Sequence, residues 1–208
     1  MLEEILIEFI STFILVFNGS ISLILYNKIG ALGVSIVHGI SLYIALSIGG
    51  SANPAITLSK YLTDNIKLSI LAAKIITQML SSLISSLFIL IFFSLDHVQQ
   101  GLPTIGPSVG LIAACIYEIV LSFILVFVSL KAEPTTKLFA CSFVLTIANA
   151  NGADISNGAL NPTRAFGIAV VTQNIRHIWV YLICPIVGSM LASFLCIILK
   201  KLQDNKHL

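Results

Sequence analysis

Two short apolar segments, each beginning with Asn-Pro, interrupt an otherwise regular series of long apolar runs. A helix that crosses a bilayer needs about 20 mostly apolar residues. Six runs reach or approach this length: 5–26, 29–48, 68–93, 109–130, 138–152 and 178–199. Only 10% of the residues are charged, against about 25% in soluble domains. The sequence therefore predicts an integral membrane protein.

The two Asn-Pro segments, 53–62 and 161–173, are too short to cross the membrane. Irregular backbone within a bilayer is tolerated only where protein or a water-filled cavity surrounds it. We therefore expect both segments to be re-entrant half-helices, which enter the membrane and leave it on the same side. The predicted fold is an all-α membrane protein with six transmembrane helices plus two half-helices.

The chain also contains an internal repeat. The segment "EFISTFILVF" (8–17) matches "EIVLSFILVF" (118–127), and "SANPAIT" (51–57) matches "ALNPTRA" (159–165). Each half has three spans, an odd number, so the second half must enter the membrane from the opposite side. This predicts an inverted repeat in which the two Asn-Pro tips meet near the middle of the membrane.

We expect one channel domain over 1–208, with repeat halves of approximately 1–106 and 107–208. Lysine and arginine indicate its orientation, because they are enriched in cytoplasmic loops. An orientation with both termini in the cytoplasm places seven of them inside and three outside. The inner ones are Lys60, Lys67, Lys131, Lys137, Lys200, Lys201 and Lys206, and the outer ones are Lys28, Arg164 and Arg176.

Each Asn-Pro pair is suited to begin a helix. Asn is a favoured N-cap residue, and Pro fits the first helical position because its missing N–H would have no partner there. Asn53-Pro54 and Asn161-Pro162 therefore begin two half-helices whose N-termini face each other. Each N-terminus carries about half a positive charge, and such facing ends exclude protons and cations from a pore. Neutral molecules can still accept hydrogen bonds from the Asn amides.

These features belong to a wider set of matches along nearly the whole chain. "NPAIT" (53–57) is followed by "KIITQMLSS" (74–82), and "NPTRAFG" (161–167) by "WVYLICPIVGSMLAS" (179–193). The sequence thereby resembles the aquaporin family, also called the major intrinsic proteins. The resemblance implies a passive, homotetrameric channel for water that excludes protons and ions. In this family the permeation can extend to small neutral solutes.

The resemblance also implies which residues line the pore. Its two signature tripeptides correspond to Asn53-Pro54-Ala55 and Asn161-Pro162-Thr163. Thr163 takes the place of the usual Ala, and Ser51 takes the place of the loop histidine that usually precedes the first signature. A selectivity filter is expected on the outer side of this junction, with Gly158 and Arg164 matching its two loop positions.

Two positions of the expected filter each have two candidate residues. In the second span, the local pattern "HG" indicates His38, which we favour, whereas an ungapped count indicates Gly33. In the fifth span, an ungapped count indicates Asn149, whereas a one-residue deletion indicates Ala150. Such a ring is wider than a strict water filter and resembles those of mixed-permeability members. A glycerol, urea or ammonia facilitator of the same family is therefore the alternative interpretation.

Glu8 and Glu118 occupy equivalent positions in the first span of each half. Intramembrane carboxylates are costly and are candidates for functional sites by default. We expect both to accept hydrogen bonds from the backbone of the re-entrant loops. A less favoured interpretation makes them the coupling groups of an ion-driven transporter, whose helix breaks would be expected to carry carboxylates or unwound carbonyls.

Other classes of protein find no support in the sequence. No Ser/His or paired Asp arrangement lies within the spans, so an enzyme is not indicated. The cysteines form no CxxC pair and no His/Cys cluster, so we expect no metal, no cofactor and no disulfide framework. The net charge of +2 does not suggest nucleic-acid binding. The expected partners are water, small uncharged solutes, the lipid bilayer and other copies of the chain, in the plasma membrane.

Overall fold

The computed structural model describes residues 2–64 and 66–205. Within these ranges the chain forms helices and no strands, which confirms the predicted all-α fold class. The helices are α1 (Leu2–Ile24), α2 (Tyr26–Ser47), α3 (Pro54–Asp64), α4 (Leu68–Ile89), α5 (Leu95–Gln100), α6 (Leu111–Lys131), α7 (Pro134–Gly152), α8 (Pro162–Val171) and α9 (Ile178–Asp204). Met1, Asn65 and residues 206–208 lie outside the described residues, and with them Lys206 of the lysine count.

Six long helices, α1, α2, α4, α6, α7 and α9, form the bundle. Five of them are long and apolar enough to cross a membrane, and α7 is the exception. The last turns of α7 carry Thr146, Asn149 and Asn151, which lower its hydropathy. It packs against α2 and α6, and it begins at Pro134, four residues earlier than expected. Proline is favourable at a first helical position, which accounts for the longer helix.

The half-helices α3 and α8 have 11 and 10 residues, and they are the two re-entrant elements that the sequence predicts. Helix α3 packs against α4, α6 and α9, and α8 packs against α1, α4 and α9. The N-terminal half of each is buried. Protein therefore surrounds both chain breaks, as irregular backbone within a bilayer requires.

The helix contacts follow the inverted repeat. Helix α1 packs against α2 and α4, and the equivalent α6 packs against α7 and α9, while α2 and α7 join the halves. Glycines permit two of these approaches. A Cβ on Gly39 would lie 1.9 Å from Thr146 Oγ1, and one on Gly188 would lie 2.4 Å from the Ile119 carbonyl oxygen. Small residues at these crossings let the helix backbones come close.

Helix boundaries also differ from the sequence expectation at the ends of α4 and α9. Helix α4 ends at Ile89 rather than at residue 93, and the short helix α5, which was not predicted, follows in the loop. Helix α9 continues beyond the apolar run to Asp204, through last turns that carry Lys200, Lys201 and Asp204. These changes lie at the ends of spans and leave the Asn-Pro junction in the middle of the bundle.

Candidate functional site

The two Asn-Pro pairs cap the two half-helices as expected. Asn53 Oδ1 accepts a hydrogen bond from the Ala55 N–H at 2.9 Å, and Asn161 Oδ1 accepts one from the Thr163 N–H at 3.0 Å. Each bond satisfies one of the donors that a helix N-terminus leaves free. Pro54 and Pro162 are the first residues of α3 and α8, where a proline needs no N–H.

The amide groups of the same asparagines join the two halves. Asn53 Nδ2 donates to the carbonyl oxygen of Leu160 at 3.0 Å, and Asn161 Nδ2 donates to that of Ala52 at 2.7 Å. Each asparagine therefore bonds to the residue that immediately precedes the other. An amide NH₂ has two donors, so each retains one N–H for a passing molecule. The tips of the two half-helices meet, as the repeat predicts.

Both residues that accept these crossed bonds have a left-handed backbone. Ala52 has φ 50° and Leu160 has φ 55°, a region that costs a non-glycine residue about 1–2 kcal/mol. The conformation turns each loop sharply into its half-helix. Sequence reasoning missed this pair, because neither Ala nor Leu signals a positive φ. The only available sign was their equivalent place before each Asn.

Glu8 and Glu118 hold these strained loops. Glu8 Oε1 accepts from the N–H groups of Ser51 (2.9 Å) and Ala52 (2.6 Å). Glu118 accepts from the N–H groups of Ala159 at Oε1 (2.8 Å) and Leu160 at Oε2 (2.7 Å). Both carboxylates are fully buried. The expected contact between these carboxylates and the loop backbone is therefore present in both halves.

Each carboxylate has one further side-chain donor, and here the halves differ. Gln78 Nε2 donates to Glu8 Oε1 at 2.6 Å and to Thr57 Oγ1 at 2.8 Å, which ties α4 to α3. In the other half, Ser156 Oγ donates to Glu118 Oε1 at 2.7 Å. Glu8 also has a cation nearby, since Lys74 Nζ lies 3.8 Å from its Oε2.

Two serines on long helices fix the starts of the half-helices. Ser189 Oγ on α9 donates to the Ala55 carbonyl oxygen, and Ser82 Oγ on α4 donates to that of Thr163, each at 2.5 Å. Thr163 adds a bond that Ala55 cannot make, from its Oγ1 to Asn161 Oδ1 at 2.8 Å. The substituted signature residue therefore strengthens the cap and does not disrupt it.

Arg164 is buried beside the junction, with 3% of its surface exposed. Its Nη1 donates to the carbonyl oxygens of Gly158 (2.9 Å) and Ala159 (3.1 Å), and its Nη2 donates to Asn149 Oδ1 (3.1 Å). A guanidinium has five N–H donors in a fixed plane, so further donors remain for a solute. The buried carboxylate of Glu118 is near enough to offset part of its charge.

The two candidate residues of the fifth span differ in burial and in contacts. The Asn149 side chain is buried and bonds to Arg164, while Ala150 is only partly buried and lies one position further around α7. Gly158 completes this group, with φ 52° and a backbone so close to Ala148 that a Cβ would lie 2.5 Å from its carbonyl oxygen. The geometry thus brings Asn149, Gly158 and Arg164 together.

In the second span, His38 is fully buried and Gly33 is only partly so. His38 Nδ1 lies 2.9 Å from the Val34 carbonyl oxygen, and its Nε2 is buried with no hydrogen-bond partner among the described residues. The ring packs on Gly19 of α1, where a Cβ would lie 2.7 Å from Nε2. A Cβ on Gly33 would instead meet the side chain of Ile29, at 2.8 Å. Gly19 is a supporting residue that the sequence did not reveal.

Six long helices around two half-helices that meet at paired asparagines define a membrane channel of the aquaporin fold. The sequence model of the family "Major intrinsic protein" matches residues 1–196. The chain belongs to this family, whose members are channels and not enzymes. It is accordingly an integral, multi-pass transport protein of the membrane.

Similar proteins support this assignment. The chain is 32% identical over 218 residues to "Aquaporin TIP2-3" of Arabidopsis thaliana, covering 93% of this chain and 86% of that protein. It is 34% identical over 212 residues to a "Probable aquaporin TIP-type" of Medicago truncatula, covering 90% and 83%. A solved structure of the aquaglyceroporin from Plasmodium falciparum has the same fold, with a TM-score of 0.78, 19% identity and coverage of 92% and 93%.

Proposed function

We propose that this protein is a passive channel for water and small neutral solutes that excludes protons and other ions. The observation that carries the proposal is the pair of crossed bonds from Asn53 to Leu160 and from Asn161 to Ala52. They hold two positive helix N-termini face to face while leaving amide donors for a neutral molecule. The positive N-termini repel a cation, whereas a neutral water molecule accepts hydrogen bonds from the free amide N–H groups.

The selectivity filter in this proposal consists of His38, Asn149, Gly158 and Arg164. Arg164 supplies a buried positive charge, and Asn149 and Gly158 fix its position through hydrogen bonds. His38 contributes the buried Nε2 that lacks a partner among the described residues. The ring contains no bulky aromatic residue, which favours a pore that also admits glycerol, urea or ammonia.

A coupled ion transporter is less consistent with the geometry. Glu8 and Glu118 are bound to the backbone N–H groups of the re-entrant loops. Releasing either carboxylate to carry a proton would leave buried donors unsatisfied, at about 1–3 kcal/mol each. Their role here is to support the loops.

Stopped-flow measurements on proteoliposomes test the proposal. We expect osmotic shrinkage faster than in empty liposomes, with a low activation energy and without a proton leak. Gradients of glycerol, urea and ammonia then define the solute range. Shrinkage no faster than in empty liposomes, from protein that is monodisperse before reconstitution, would refute the proposal.

The proposal includes the organisation of the protein in the membrane. We infer one domain over 1–208, because hydrogen bonds from Asn53, Asn161 and Ser189 cross between the halves of approximately 1–106 and 107–208. We propose that both termini face the cytoplasm and that the protein forms a homotetramer with one pore in each subunit. The similarity to TIP-type aquaporins favours the tonoplast over the plasma membrane that the sequence analysis expects. Native mass spectrometry tests the tetramer, and protease accessibility of terminal tags in intact cells and isolated membranes tests orientation and location.

A further inference from the structure

We propose that Lys60 is a specificity-determining residue, which adds a second positive barrier to cations on the cytoplasmic side of the asparagine junction. The inference rests on the proposed function, because a barrier to ions has an effect only in a pore that conducts. In this proposal, the pore carries one fixed positive charge on each side of Asn53 and Asn161, and neutral molecules pass both charges.

The position of Lys60 follows from its place on α3. It lies seven residues after Asn53, which is two turns of helix, so both side chains project from the same face. Long side chains on a helix point back toward its N-terminus. Accordingly, Lys60 Nζ donates to Ser51 Oγ at 3.1 Å, and the side chain is partly buried. The ammonium group therefore lies beside the loop that leads into the half-helix.

The internal repeat relates the contact between Lys60 and Ser51 to one that Arg164 makes in the other half. Ser51 and Ala159 occupy equivalent positions in "SANPAIT" and "ALNPTRA". Lys60 bonds to Ser51, and Arg164 bonds to the Ala159 carbonyl oxygen, also at 3.1 Å. In each re-entrant loop, therefore, one cationic group binds the residue at the equivalent position. The inverted repeat places the two cationic groups on opposite sides of the junction.

Comparison of the two halves by sequence hides this relationship. Arg164 is the third residue after Asn161, whereas Lys60 is the seventh after Asn53, and Ile56 stands where an equivalent arginine would be. The Lys60 side chain reaches the loop because it points back along two turns of α3. The two charges are equivalent in space and not in alignment.

The charged groups around Lys60 balance one another, so the excess of positive charge at this site is that of Lys60 itself. The charged groups that act on it are Lys74 and Lys137, which are positive, and Glu8 and Asp64, which are negative. Glu8 and Lys74 pair with each other, with Lys74 Nζ 3.8 Å from Glu8 Oε2, and Asp64 is exposed at the far end of α3. A cation that enters from the cytoplasm thus meets a field with three positive groups and two negative ones.

A transport experiment tests the barrier at Lys60 in a variant from which the barrier at Arg164 has been removed. The two barriers act in series, so the Lys60→Met variant alone should leak few protons while Arg164 remains. We expect Arg164→Val to raise the proton leak per unit of water permeability in proteoliposomes. Adding Lys60→Met should raise that ratio at least fivefold further. The control is Lys67→Met, an exposed cytoplasmic lysine, in the same Arg164→Val background, where no further rise is expected.

The outcomes separate the two proposals. A wild-type protein without water permeability refutes the proposed function. Water permeability together with a double variant that leaks no more than Arg164→Val refutes the barrier at Lys60. A Lys60→Arg variant in the same background should keep the leak low, because it retains the charge.

A second measurement reads the charge without transport and without changing Arg164. In the Ser51→Cys variant, in detergent, an anionic methanethiosulfonate reagent should react faster than a cationic one, after normalisation to a free thiol. Wild-type protein gives the background from the native cysteines. Adding Lys60→Met should lower the anionic preference at least threefold. An unchanged preference would mean that Lys60 does not set the local charge.

Discussion

Asn149 on α7 and Arg164 on α8 share the carbonyl oxygen of Gly158. Arg164 Nη1 donates to it at 2.9 Å and Asn149 Nδ2 at 3.2 Å, while Arg164 Nη2 donates to Asn149 Oδ1 at 3.1 Å. The three groups form a closed ring of hydrogen bonds, which holds the guanidinium in one orientation. The shape of the proposed filter thus depends on Asn149 as much as on the arginine.

Replacing Asn149 with Ala should therefore loosen the filter. The change removes an acceptor of Arg164 and widens the ring, so we expect the ratio of glycerol to water permeability to rise about tenfold, which corresponds to about 1.4 kcal/mol in the barrier. Ala150→Ser is the matched control and should leave the ratio within twofold. Light-scattering kinetics in proteoliposomes measure both solutes. Equal effects of the two variants would argue against the assignment of Asn149.

His38→Ala should also broaden permeation, because it removes a buried ring and leaves space beside Gly19. We expect urea and glycerol to enter faster, with little change for water. Gly33→Ala serves as the comparison at the alternative position, where an added Cβ would lie 2.8 Å from the Cβ of Ile29. Should His38→Ala leave every solute unaffected while Gly33→Ala does not, the filter residue of the second span is Gly33.

Glu118→Gln should destabilise the protein. The carboxylate accepts three hydrogen bonds from Ser156, Ala159 and Leu160, and an amide that replaces it presents N–H donors to at least one of them. A buried donor without an acceptor costs about 1–3 kcal/mol. Reversible unfolding in mixed micelles measures the free energy of unfolding. Glu133→Gln, an exposed carboxylate, should change it by less than about 0.5 kcal/mol.

Folded Glu118→Gln protein also discriminates between a channel and a transporter. A supporting carboxylate predicts that the correctly folded fraction still conducts water. A coupling carboxylate predicts that folded protein loses a proton-driven flux. The two results are compared at equal amounts of monodisperse protein.

Gly158→Ala should abolish the filter. The residue has φ 52°, which strains any side chain, and its Cβ would lie 2.5 Å from the Ala148 carbonyl oxygen. We expect loss of solute selectivity together with at least about 2 kcal/mol of stability. Gly110→Ala is the control, because a Cβ there has nothing within 4 Å. Wild-type solute ratios in the Gly158 variant would contradict the proposed position of this residue.

Several elements were readable from the sequence because they depend on local chemistry. The long apolar runs gave the spans, since a bilayer demands about 20 apolar residues. Asn-Pro gave both half-helix starts, since capping involves only neighbouring residues. The matching Glu8 and Glu118 indicated support of the loops, because a buried carboxylate needs donors and the repeat supplied the same loop in each half.

Other features required the assembled fold. The contact of Arg164 with Asn149 and not with Ala150 depends on the direction in which α7 presents its side chains to α8, which a residue count does not determine. The left-handed conformations of Ala52 and Leu160 arise from the carboxylates and asparagines around them, and neither residue type favours that conformation on its own. The reach of Lys60 back to Ser51 likewise depends on how α3 is seated.

The sequence by itself determined the class of fold, the two breaks in the membrane and their inverted relation, because hydropathy, capping and repeat symmetry are local or periodic properties. The tertiary structure alone decided which side chains meet at the junction. Those contacts link residues that lie far apart in the chain, such as Asn53 and Leu160. Their distances follow from helix packing, which no single segment of the sequence specifies.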